Sequence, residues 1–264
     1  MLRTASPETH RPLRPPRVAD FFAFRYQSPA MTLRAGVVAV QGDVSEHADA
    51  VRRAAAAHGE REGRRASNGS SEQRPRDDVE VVEIRESGLV PDCDVLLMPG
   101  GESTTISRLV HREGIAPEIR AHVDAGKPIL ATCAGLIVAA RDAKDDRVET
   151  LGLLDVTIDR NAFGRQTDSF EAPLPVRGLE EPFPAVFIRA PVIDEVGSEA
   201  GRREASVRAS GETTSADVEV LAEWNGRPVA VRQGPVVGTS FHPELTGDSR
   251  IHELAFFEER AVTA

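Results

Sequence analysis

The feature that most limits the folds open to this chain is the alternation, from Arg34 onward, of short apolar runs with helix-period stretches. "GVVAV" reads as a strand and "SEHADAVRRAAAAHG" as a helix; "VEVVEI" and "DVLLMPGG" read as two further strands. "TTISRLVHREGIAPEIRAHVDAG" reads as helix broken between Gly114 and Pro117, and "PILAT" as a strand running into Cys133 and another helix. Strands alternating with helices predict an α/β domain around a mainly parallel sheet. The second half, through "LGLLDVTIDRNAFG", "AVFIRAP", "VEVLAEW", "PVAVRQG" and "PVVGTSFHPEL", predicts a succession of short strands.

Three segments depart from this pattern. Residues 1–30 hold five arginines, five prolines and two acids without periodicity, so a disordered N-terminal extension is expected, with Met31 as an alternative start of translation. An Arg-rich organellar transit peptide is the alternative, against which Glu8 and Asp20 speak. Residues 59–78 and 197–217 are polar and of low complexity, and are expected as surface insertions in a domain spanning 31–264.

Composition excludes several functions. The 32 basic and 42 acidic residues leave a net charge of −10, which disfavours nucleic acid and anionic membrane as partners. No apolar run reaches the ~20 residues of a membrane span. Cys93 and Cys133 are too few for a disulfide framework and lack metal-ligand spacing, so a reducing cytoplasm and no metal are expected. Lysine occurs only at positions 127 and 144. An acidic, lysine-poor chain suits a salt-rich habitat, although a GC-rich genome would also favour arginine.

Chemistry concentrates at three places. Cys133 stands at a strand-to-helix joint with Ala131 and Gly135 two residues to either side, the small neighbours a nucleophile elbow requires; alanine replaces the first glycine of the usual pattern. Packing of a buried thiol is the other explanation for one cysteine. In "GTSFHPELT", His242 and Glu244 lie two apart in extended chain and so face one side, which would let the carboxylate orient the imidazole toward a thiol. A chance surface tripeptide would look the same. "MPGGESTT" ends a strand in two glycines and starts a helix, which exposes backbone N–H groups or merely caps a turn.

In order, "AVQGDVSEH", "LLMPGGESTT", "TCAGLI", "RNAFGRQTDSFEA", "VFIRAP" and "SFHPELT" resemble the glutaminase subunits of pyridoxal 5'-phosphate synthase, a branch of the class I glutamine amidotransferases. "RNAFGRQTDSFEA" is the discriminating string, since other branches share the elbow and the His-x-Glu but not that segment. The resemblance implies a flavodoxin-like three-layer α/β/α domain that hydrolyses L-glutamine to L-glutamate and ammonia without a cofactor. It implies Cys133 as nucleophile, His242 as acid–base and Glu244 as the residue orienting it. By the same resemblance Gly101 and Ala134 supply oxyanion N–H donors, and Gly101, Glu102, Ser103, Arg160, Ile188 and Arg189 bind glutamine. The implied partner is a (β/α)₈-barrel synthase subunit that consumes the ammonia. The glutaminase of a different ammonia-channelling enzyme, or a noncatalytic binding or chaperone-like relative, would share parts of this pattern. Arg160 could instead be a surface arginine paired with an acid, and Arg189 is open to the same reading. Cys93 reads as packing or surface, and His47, on the first helix, as facing a partner or solvent.

Overall fold

The computed structural model describes residues 32–66, 79–160, 169–197 and 217–257; the side chains of 62–66 fall outside this description. Among the described residues the elements run β1 (Leu33–Val38), α1 (Val44–Ala66), β2 (Val79–Ile84), β3 (Val95–Met98), α2 (Ser103–Arg112), α3 (Ile115–Asp124), β4 (Ile129–Thr132) and α4 (Ala134–Ala139). They continue as β5 (Ala140–Asp142), β6 (Leu154–Asp159), β7 (Phe170–Leu174), β8 (Phe183–Phe187), β9 (Val192–Val196), β10 (Glu219–Trp224), β11 (Arg227–Gln233), β12 (Val236–Thr239) and α5 (Arg250–Phe256).

A seven-stranded sheet has the order β10-β11-β12-β4-β3-β1-β2. The five strands from β12 to β2 are parallel, and β11 and β10 add on antiparallel at the β12 edge. Both faces are covered, which explains why β3 is apolar throughout and β4 is apolar up to the buried Thr132 at its carboxyl end. Leu96 and Met98 point into one layer with Ile106, Val110 and Ile119 of α2 and α3. Val95 and Leu97, one residue out of step, point into the other with Val51 of α1 and Ile251 and Leu254 of α5. The result is a three-layer α/β/α sandwich, as the alternating pattern predicts.

Sequence and structure differ in places. Helix α1 continues through Ala66, eight residues into the expected insertion at 59–78, because its Glu and Arg residues are good helix formers. Arg61 also ion-pairs with Glu253 of α5. Residues 1–31, 67–78 and 198–216 lie outside the described residues, and with them the expected extension 1–30 and most of the insertions expected at 59–78 and 197–217. The helix after Cys133 stops after six residues and turns into β5. The later strands extend the main sheet and also form two smaller sheets, β5-β6-β9 and the β7-β8 pair. The helical break sits at Gly114, whose φ of 71° suits glycine, while Pro117 is accommodated in the first turn of α3. No described helix is long and apolar enough to cross a membrane.

Candidate active site

Parallel strands β3, β4 and β12 are neighbours, so their carboxyl ends bring three loops to one spot. Cys133 follows β4 with φ 49° and ψ −107°, a conformation L-residues rarely adopt. Its N–H donates to Thr239 O at 2.8 Å and its own carbonyl accepts from Ile137 N, so both the sheet and α4 hold the bend. Crowding explains the glycines around it. A Cβ on Gly135 would stand 2.1 Å from Met98 O, and one on Gly100 would stand 2.5 Å from His242 Cε1. At Gly42 an added Cβ would come within 1.8 Å of Gly100 O.

His242 leaves β12 through Phe241, which is fully buried against the rings of Phe183 and Phe187 at 5.8 and 5.6 Å. Burying such a ring contributes roughly 3 kcal/mol, enough to fix the segment that carries the imidazole. The His242 N–H donates to Val186 O at 2.8 Å. Its Nδ1 lies 2.6 Å from Glu244 Oε1, and the ring is hydrogen-bonded to Cys133 on its other side. Burial disfavours the charged ring, yet the bonds to Cys133 and Glu244 prevail and push its pKa up to about 10. Asp43 Oδ2 lies 3.7 Å from the same Nδ1, and one donor atom each of Asp43, His242 and Glu244 falls within a 4.8 Å cluster. The short Nδ1–Oε1 contact uses that nitrogen for a hydrogen bond, the arrangement of an oriented base.

The profile of the SNO glutamine amidotransferase family matches residues 37–262. The chain belongs to this family. The pyridoxal 5'-phosphate synthase subunit PdxT of Haloarcula marismortui is 67% identical over 86% of this chain and 98% of its own length. That of Halobacterium salinarum is 66% identical over 86% and 95%. A solved glutamine amidotransferase structure superposes with a TM-score of 0.63 at 37% identity, covering 84% of this chain and 96% of its own.

Around this amidotransferase thiol, Gly101, Glu102, Ser103 and Arg160 gather on the loop side, while Ala134 and Ile188 lie beside Cys133. Gly101 has φ 142°, and Glu102 caps α2 by accepting from Thr104 N at 3.3 Å and Thr105 N at 2.8 Å. Hydrogen bonds from Thr104 and Thr105 hold the Glu102 carboxyl down at about 2. Ser103 is buried in the first turn. Arg160 reaches this loop from the end of β6, pairing with Asp145 at 3.0 Å and Glu102 at 3.5 Å; Arg147 and Arg160 hold Asp145 well below the ordinary carboxylate range. Ile188 O lies 4.0 Å from Cys133 Sγ, and the next residue, Arg189, has φ 46°. Ala134 is the first residue of α4, beside the thiol.

Two contributors escaped the sequence reading. Gln41 accepts from Glu102 N at 3.0 Å and so ties the glycine loop to the end of β1; its position just past a parallel strand was the available signal. His47, expected to face a partner or solvent, is fully buried beneath the site instead. The reason is α5, which packs over α1 and covers that face. Cys93 is buried against Leu89 O, and burial pushes its thiol up to about 11, which fits packing.

Proposed function

We propose that this amidotransferase hydrolyses L-glutamine to L-glutamate and ammonia as the glutaminase subunit of pyridoxal 5'-phosphate synthase, working in the cytoplasm in a heteromeric complex. The observation carrying the reading is the connected set Cys133–His242–Glu244, with its 2.6 Å imidazole–carboxylate contact next to a cysteine on a strained elbow. The Cys133 proton has passed to His242 before substrate arrives, since the ring is held up at about 10, and Cys133 Sγ attacks the side-chain amide carbon. The tetrahedral oxyanion is met by the N–H groups of Ala134 and Gly101. The C–N bond breaks as His242 returns its proton to the leaving nitrogen, giving ammonia and a thioester. Water adds to the thioester with His242 as base, and glutamate leaves as the thiol is restored. Glu244 orients the ring throughout. Arg160 and Arg189 provide charge for the glutamine carboxylate, with Gly101, Glu102, Ser103 and Ile188 lining the rest.

The names borne by the close relatives favour this synthase over another ammonia-consuming enzyme. The acceptor chemistry belongs to a (β/α)₈-barrel subunit, and a chain starting at Met31 is expected to hydrolyse glutamine like the full chain because residues 1–30 lack the apolar content to pack. The test is glutamate release and pyridoxal 5'-phosphate formation from glutamine, with the barrel subunit present and absent. Cofactor formation should need both subunits with glutamine, and the barrel alone with ammonium salt. Cofactor formation by the barrel with glutamine alone would refute the assignment.

A further inference from the structure

Glu244 has one oxygen on His242 and another that is wholly buried and makes no hydrogen bond of ordinary length. The nitrogen facing that second oxygen is His47 Nε2, 3.5 Å away. The same Nε2 lies 3.0 Å from Thr132 Oγ1, on the residue before the nucleophile, and His252 Nε2 of α5 lies 3.4 Å from His47 Nδ1. His47, Thr132 and His252 are all completely shielded from solvent.

The proton positions follow from chemistry. Burial pushes His47 down to about 4 against the pull of Glu244, and pushes His252 down to about 3, so both rings are neutral near pH 7. A neutral imidazole has one N–H, and a carboxylate only accepts. Nε2 of His47, facing a carboxylate, therefore carries the hydrogen, and its Nδ1 is left to accept from His252 Nε2–H. One tautomer satisfies the set, its single Nε2–H shared between Thr132 Oγ1 at 3.0 Å and Glu244 Oε2 at 3.5 Å.

We propose that His47 is a positioning residue for glutamine hydrolysis: its Nε2–H, fixed in that tautomer by His252, steadies Thr132 beside the nucleophile and the free oxygen of Glu244. It thereby holds the carboxylate that orients His242. This inference rests on the glutaminase reading. His47 never touches substrate and acts through Glu244.

The experiment uses the full chain with the barrel subunit present and measures glutamate release. His47→Leu, which keeps volume and loses the donor, is expected to lower kcat about 10–100-fold while KM stays within about twofold. His47→Gln, which returns an N–H near the Nε2 position, is expected to recover at least about tenfold over His47→Leu. In a Glu244→Ala background, His47→Leu should add little further loss, because both act on one carboxylate. Wild-type kcat in His47→Leu, no recovery in His47→Gln, or fully additive losses would overturn the proposal. If His47→Leu does not fold, His47→Asn carries the test, since its amide reaches only the Nδ1 position and the same fall in kcat is required. Should the wild type release no glutamate at all, the glutaminase reading fails and this inference with it. Normal wild-type turnover, abolished in Cys133→Ala, with silent His47 variants, would sink this inference alone.

Discussion

The two sides of the site are built differently. On the thiol side, Cys133, His242 and Glu244 are buried, and each is held by the sheet, by aromatic packing or by neighbouring polar groups. On the loop side, Gly101, Glu102 and Arg160 are partly open to solvent, and charge pairs hold Arg160 and Glu102 together at 3.5 Å. The lesson concerns what each side must do. Bond-breaking needs groups fixed before substrate arrives, which packing supplies. Admitting and releasing a charged amino acid needs groups whose present partners can be exchanged for the substrate's own charges, which half-exposed ion pairs permit because each is worth only about 0–1 kcal/mol.

The comparison breaks most severely at the nucleophile. Cys133→Ala is expected to abolish measurable glutamine hydrolysis while circular dichroism and Tm stay near wild type, since alanine suits the small-residue elbow. His242→Ala should be almost as damaging, and Glu244→Ala less so. Full hydrolysis by Cys133→Ala would end the catalytic assignment.

Next in size is the effect of crowding. In Gly100→Ala the new methyl would stand 2.5 Å from His242 Cε1, so the imidazole must move off its line to Cys133. A fall in kcat of about 100-fold is expected, with Tm lowered by only a few degrees. An unchanged kcat would mean that the thiol side is less rigid than its packing implies.

A loop-side change should behave otherwise. Arg160→Ala removes a guanidinium now shared between Asp145 and Glu102. KM for glutamine is expected to rise about 10–100-fold with kcat falling much less, the pattern of a lost charge-assisted contact to bound substrate. A kcat effect as large as that of Gly100→Ala would erase the distinction between the two sides.

The same contrast explains what the sequence could reveal. The elbow, the His-x-Glu and the glycine loop were legible because each is a local constraint: a positive-φ turn, a two-residue extended spacing, a helix start. The α/β layering was legible because strands covered on both faces must be largely apolar, as "VLLM" is and as "ILAT" is up to its last residue, Thr132. His47 was not legible, for its burial depends on α5 and His252, 205 residues further along the chain. A histidine on the polar-looking start of a helix carries no local mark of a partner so remote. The small sheets were hidden for a related reason: "PVIDEV" alternates weakly, and β9 becomes a strand only by pairing with β6.

The smallest expected effect, and the finest probe of the thiol side, is a shift in pH dependence. In the free enzyme His242 holds the proton that the leaving ammonia will need, its ring held up at about 10, so kcat/KM should persist into alkaline solution and fall as pH passes about 10. Burial alone would lower that pKa; the hydrogen bonds that the ring makes to Cys133 and Glu244, and their charges, raise it. Glu244→Gln keeps an oxygen able to accept from Nδ1–H but removes the negative charge, so one of the raising influences is weakened. The sign follows: a ring that loses its proton more readily runs out of acid at lower pH, and the alkaline limb of kcat/KM should move down by about one unit, with a modest loss at the optimum. The measurement is kcat/KM against pH from 6 to 11 for both proteins in the presence of the barrel subunit. An alkaline limb that stays in place in Glu244→Gln would mean that the carboxylate acts on ring orientation alone, and that the charge on the buried side of the site contributes nothing to holding the proton.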